Sequence, residues 1–200
     1  YEFFAKNVIS RKEIIHKPAI VFKDRVLNYG QLDEIIIKLS LFINSNLTNH
    51  SSRTFSDYPT ICVHLKPDIY TIPVLLAIQK NFYAYLPIDP SMPYKNIEHI
   101  ILDSKPTAII TNLNKEDFSF GELAKKLNIS IIYLNDSFIP TLNEQDQQEP
   151  EILHSHNQNA CILYTSGSTG LPKGVILPHK SILNRLYWQW DTFNLKESDV

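Results

Sequence analysis

The chain has 200 residues, 44% apolar and 20% charged, with 19 basic against 21 acidic side chains and a net charge of −2. That suffices for one domain with its own core, or for part of a larger one, and the near-neutral balance argues against a nucleic-acid or anionic-membrane surface. The longest purely apolar run, residues 74–78, is far too short to span a membrane. The start, YEFFAKNVISRK, has no basic segment ahead of an apolar one, so no signal peptide is expected, and its lack of an initiator Met hints at a fragment. Cys62 and Cys161 both sit in strand-like apolar runs. They read as buried free thiols in a reducing, cytoplasmic compartment.

In chain order, AIVFKDRVLNY (19–29) predicts two short strands around a Lys23-Asp24-Arg25 turn. QLDEIIIKLSLFINSNL follows, with apolar residues at helical spacing: Leu32, Ile35, Ile36, Leu39, Phe42 and Ile43. Residues 44–59 are polar and read as a loop closing at Pro59. TICVHL (60–65) is a compact β-rich run, and DIYTIPVLLAIQK a helix with Pro73 in its first turns, where a missing N–H is tolerated. YLPIDPSMP (85–93) carries three prolines and must be extended or turning. YKNIEHIILDSK is a helix with an Ile97, Ile100, Ile101 face; TAIIT (107–111) is a strand, GELAKKLN a short helix and ISIIYL (129–134) a strand. Strands alternating with helices predict an α/β fold with a mostly parallel sheet flanked by helices.

Residues 143–159 are polar and acidic and read as a connecting loop. Its His154-Ser155-His156 has no third ligand in view, so no metal site is assigned there. ACILY (160–164) is a buried strand running straight into YTSGSTGLPKG, then VILP and SILNRLYWQWDTF, an amphipathic helix. Its Tyr187, Trp188 and Trp190 read as core rather than substrate contacts.

Three of the chain's five glycines fall within residues 164–174. Gly167, Gly170 and Gly174 let backbone N–H groups converge on an anion. Thr165, Ser166, Ser168 and Thr169 offer hydroxyl donors, and Lys173 a positive charge whose hydrogen bonds are roughly twice as strong as neutral ones. This is not G-x-x-x-x-G-K-[ST]: Gly174 follows Lys173, and a strand rather than a helix comes next. A flexible polyphosphate-binding flap between two strands is the expectation.

YTSGSTGLPKG resembles the phosphate loop of the adenylate-forming (AMP-binding) enzymes: acyl-CoA synthetases, luciferases and nonribosomal-peptide-synthetase adenylation domains. LNYGQLDE (27–34) resembles their early L-x-Y-x-E-L motif, with Gln31 where Glu is usual. YAYLPIDPSMP (83–93) resembles A-Y-L-P-L-D-P and favours the peptide-synthetase branch, with Asn81 and Phe82 upstream where Ala-Gly is typical. LPHKSILNRLYWQW is similar to the ebony-type synthetases, which join β-alanine to biogenic amines.

The resemblance spans nearly all residues, as the N-terminal part of an adenylation domain. It implies ATP-dependent activation of an amino acid, β-alanine on the narrower match, as an acyl-adenylate with release of pyrophosphate. The acyl group then passes to a phosphopantetheine thiol on a carrier domain of the same longer chain. It implies ATP and Mg²⁺, with Thr165, Ser166 and Thr169 on the β- and γ-phosphates, Ser168 as a further phosphate-binding hydroxyl, Gly167, Gly170 and Gly174 allowing the backbone shape, and Lys173 as mobile counter-charge. Gly174 and Asp89 are structural, Asp89 bonding turn amides, and His179 caps or packs. No Mg²⁺ ligand or catalytic lysine is assigned. An acyl-CoA synthetase acting on a fatty or aryl acid and a non-catalytic nucleotide-binding remnant remain alternatives.

Overall fold

The computed structural model describes residues 1, 4–47, 59–115, 120–134, 158–166 and 170–193. After a π-helical turn, Ala5–Ile9, β1 (Pro18–Phe22) and β2 (Arg25–Asn28) form an antiparallel hairpin whose turn holds Lys23 at φ 55°. The order continues α1 (Tyr29–Leu47), β3 (Thr60–His64), α2 (Thr71–Lys80), β4 (Ala84–Pro87), α3 (Tyr94–Ser104), β5 (Ala108–Thr111), α4 (Gly121–Lys126), β6 (Ser130–Tyr133), β7 (Asn159–Thr165), β8 (Lys173–Pro178) and α5 (His179–Phe193). The first helix therefore runs through residues 44–47, expected as loop, because Leu47 is itself buried in the core. Residues 143–157, with His154 and His156, lie outside the described residues, while Gln158 is buried and Asn159 already belongs to β7.

The six-stranded sheet has the order β6-β5-β3-β4-β7-β8. Neighbours are parallel except for the β7–β8 hairpin. Strand residues alternate between two cores, which places the helices on opposite faces. Ile61, Val63, Ala108 and Ile110 pack with Ile36, Leu39, Val74 and Ile78 of α1 and α2. Cys62 and Ile109 pack with Ile97, Ile100 and Ile101 of α3 and with Phe120 and Ala124. At about 25 cal/mol per Å² of buried apolar surface, these fully buried aliphatic side chains are the main drive for folding.

The helix ends explain two departures from the family motifs. Gln31 N–H donates to Asn28 Oδ1 at 2.8 Å, while Asn28 N–H donates to Gln31 Oε1 at 3.0 Å. This reciprocal box satisfies two backbone donors at the start of α1, and Gln serves it as well as Glu. At the end of α2, Phe82 takes φ 56°, with its N–H on Gln79 O at 3.0 Å and Tyr83 N–H on Ile78 O at 3.1 Å. That is the left-handed closure glycine usually makes. Here the phenylalanine ring lies 6.0 Å, centroid to centroid, from that of His179 at the start of α5. Lys105 and Asn128 close α3 and α4 in the same left-handed region, at φ 45° and 57°. The neighbouring Asn81 ties α2 to α1: Ser40 Oγ donates to its Oδ1 at 2.9 Å and its Nδ2 to Ser40 O at 2.7 Å.

Candidate phosphate-binding site

The flap grows from the β7–β8 hairpin. Thr165, the last residue of β7, is the cross-strand partner of Lys173, the first of β8. Opposed residues share a face, so the hydroxyl and the ammonium lie on one side of the hairpin. Tyr164 and Gly174, the next pair inward, lie on the other. Thr165, Ser166, Gly170 and Lys173 are all exposed. Gly167, Ser168 and Thr169 lie outside the described residues.

The two described flap glycines differ in kind. Gly170 has φ 88° with open space around it, so its need is conformational. Gly174 has no such φ; a Cβ there would meet Tyr164 Cζ at 3.0 Å, so its need is room for a ring.

β7 leaves the sheet at the carboxyl edge of the parallel strands, where open α/β sheets bind ligands. Tyr85 of β4 pairs with Cys161 of β7, and four residues on along each chain stand Asp89 and Thr165. Asp89 Oδ1 accepts the Ser91 amide at 2.8 Å and its hydroxyl at 2.7 Å, and these bonds hold its carboxyl below the usual range. Beside it, at the end of β3, buried His64 has its Nδ1 3.4 Å from Thr111 Oγ1. Burial lowers its pKa to about 4, with the Asp89 charge opposing.

Both cysteines are free and buried. Burial pushes their thiols up, and Cys161 hydrogen-bonds Tyr85, itself pushed by burial to about 12. Neither has the lowered pKa of a nucleophile. A cavity of about 410 Å³ opens near the ends of β3, β5 and β6, lined in part by Asp68, Tyr70, Asn112 and Lys115. It lies across β4 from the flap.

Three residues that matter to the flap went unnoticed in the sequence. Tyr164 Oη donates to Asp103 Oδ2 at 2.5 Å, and His99 Nε2 to Pro172 O at 3.0 Å. In the sequence, His99 and Asp103 are two polar residues four apart on a helix that also carries Lys95, Asn96 and Glu98, so nothing set them apart. The α5 aromatics correct an expectation: Tyr187, Trp188 and Trp190 are 56%, 47% and 60% exposed, and no described residue of α5 is buried. Their apolar face follows helical periodicity, but no described element covers it. His179 packs on Phe82 and donates its backbone N–H to Gln158 O at 2.9 Å.

The model of the family described as "AMP-binding enzyme" matches residues 8–200. The chain belongs to that family. The Drosophila melanogaster β-alanyl-bioamine nonribosomal peptide synthetase ebony is 42% identical over 66% of this chain, and bacitracin synthase 1 of Bacillus licheniformis 28% over 94%. The chain spans only 15% and 3% of those two relatives. Among solved structures, ATP-bound MatB of Rhodopseudomonas palustris superposes with a TM-score of 0.77 at 19% identity, over 98% of this chain and 38% of that one. VinN in complex with L-aspartate gives 0.74 at 18%, over 91% and 49%. These likenesses confirm the α/β architecture expected from the strand–helix alternation. Among the described residues no helix is long and apolar enough to cross a membrane, and no cluster of His, Cys, Asp or Glu would hold a metal ion.

Proposed function

We propose that the protein containing this chain activates an amino acid with ATP and passes it to a carrier-bound thiol. A carboxylate oxygen attacks the α-phosphorus of ATP; the bond to the bridging oxygen breaks, giving an acyl-adenylate and pyrophosphate. A phosphopantetheine thiol then attacks the acyl carbonyl, and AMP leaves as the thioester forms.

The obstacle in the first step is an anion approaching a polyanion. Lys173, with the hydroxyls of Thr165, Ser166 and Thr169, neutralises charge gathering on the leaving pyrophosphate and keeps the attack in line. The observation that carries this reading is the cross-strand pairing of Thr165 with Lys173 at the foot of the glycine loop, on the carboxyl edge of the sheet. Ser168 adds a further hydroxyl donor, and Gly167, Gly170 and Gly174 allow the backbone shape. Mg²⁺ accompanies the ATP and supplies charge neutralisation when bound; no residue described here is assigned to it.

The printed name of the Drosophila relative makes β-alanine the first substrate to try. The test is amino-acid-dependent exchange of labelled pyrophosphate into ATP by the full-length protein, across a panel that includes β-alanine. Exchange with one or a few amino acids supports the reading. Exchange with fatty or aryl acids alone would replace it with an acyl-CoA synthetase, and none with any acid would leave a nucleotide-binding remnant.

A further inference from the structure

One side of α3 meets both feet of the flap. His99 and Asp103 stand four apart and therefore stack on the same helix face. His99 Nε2 donates to Pro172 O at 3.0 Å, and Asp103 Oδ2 accepts from Tyr164 Oη at 2.5 Å. A carbonyl only accepts, so this bond requires the proton on Nε2. Pro172 immediately precedes Lys173, and Tyr164 immediately precedes Thr165. Thus each of the two opposed residues assigned to the phosphates is one peptide bond from a tethered neighbour. The helix making both tethers is itself fixed, with Ile97, Ile100 and Ile101 at most 2% exposed. Gly170, on the far side of Pro172, has nothing within 4 Å of where its Cβ would be.

We infer that His99 and Asp103 are positioning residues for the flap. They clamp the base of the β7–β8 hairpin from the face opposite Thr165 and Lys173. Neither touches the nucleotide. A donor held in advance costs no reorganisation when charge develops, which is where preorganised groups gain their effect. A loose hairpin base would let the Thr165 hydroxyl and the Lys173 ammonium wander by more than a hydrogen bond tolerates.

This inference rests on the phosphate reading of the flap, and its test separates the two. In the full-length protein, His99→Leu removes the donor and His99→Gln keeps an amide N–H. Tyr164→Phe removes the hydroxyl while leaving a ring over Gly174. Two quantities are read: amide hydrogen exchange across residues 164–175, and KM and kcat of pyrophosphate exchange for ATP and for the amino acid separately.

The expected result is faster amide exchange in that segment for His99→Leu and Tyr164→Phe. With it comes an ATP kcat/KM lowered by about 3- to 10-fold per bond, the worth of one net hydrogen bond, and larger in the double variant. KM for the amino acid stays within about 2-fold, and His99→Gln recovers most of the loss. The clamp is overturned if both single variants keep wild-type amide exchange and wild-type ATP kinetics. It is equally overturned if ATP and amino-acid constants worsen together with the melting temperature, since that marks general destabilisation. If amide exchange quickens but the wild-type protein exchanges pyrophosphate with no acid, the phosphate reading has failed. The two bonds are then hairpin supports only, and the positioning role falls with it.

Discussion

The ring of Tyr164 lies over Gly174, its cross-strand partner, so closely that a Cβ on Gly174 would stand 3.0 Å from Cζ and 3.3 Å from Oη. That hydroxyl is the one donated to Asp103. Burial and the carboxylate together raise the Tyr164 pKa. The glycine is needed here because a ring passes over it.

Gly174→Ala is expected to push the Tyr164 ring away and weaken its bond to Asp103, costing about 1 kcal/mol. In a Tyr164→Phe background the same substitution should cost measurably less, because the bond is already gone. Urea unfolding of the four proteins of that cycle checks it; equal losses in both backgrounds would refute the coupling.

Gly170→Ala has a different cause and a different readout. Space around Gly170 is open and φ is 88°, so an alanine meets only the backbone penalty, about 1 kcal/mol. Melting should shift little while the rate of pyrophosphate exchange falls several-fold, with Gly170→Asn intermediate because asparagine tolerates that region better.

Lys173→Ala is expected to slow adenylation by about 100-fold, the usual loss when one aligned charged donor is removed from a charge-stabilising site. The exposed side chain contributes nothing to a packed core, so the melting temperature should hold. An unchanged rate at saturating ATP would remove Lys173 from the mechanism.

Phe82 pits strain against packing. Its φ of 56° costs about 1 kcal/mol relative to glycine, and its ring against His179 returns some burial. Phe82→Ala keeps the strain and loses the ring, whereas Phe82→Gly loses both. The glycine variant should therefore be the more stable of the two by about 1 kcal/mol, reversing the order expected of a helix interior. Chemical denaturation of both variants decides it.

His64 makes stability depend on acid. Its pKa is about 4 in the folded chain against an ordinary 6.5, so between those values the unfolded chain binds the proton more readily. The His64 contribution is intact above about pH 6.5 and declines as pH falls toward 4, by on the order of 3 kcal/mol in all. The loss between pH 6.5 and 4 should be visibly shallower in His64→Gln. Parallel curves for the two proteins would assign the acid loss to other groups.

Period and punctuation carried most of the architecture. Leu32, Ile36, Leu39 and Ile43 recur at helical spacing and all are buried, and the short apolar runs 60–64, 108–111 and 130–133 are all strands. Such patterns are legible because burial of one face is a local constraint on neighbouring residues. The helices end where expected, at Lys80 and beside Lys105, but the left-handed closures at Phe82 and Lys105 were not legible. Glycine or asparagine is the usual sign of a left-handed closure, and of the three such caps only Asn128 shows it.

The alternation of strand and helix, the place of the glycine-rich loop after a strand, and the AMP-binding resemblance could all be read from the sequence. Each of these is written in residues adjacent along the chain. Only the tertiary structure decided that β7 lies against β4, that Thr165 faces Lys173, and that His99 and Asp103 hold the flap from below. The β4–β7 pairing and the two tethers join residues roughly 60 to 75 positions apart (Asp103 with Tyr164, His99 with Pro172), and the Thr165–Lys173 pairing is set by hairpin register. They depend on strand order and register, set by how two buried faces pack together, a condition that no stretch of neighbouring side chains encodes.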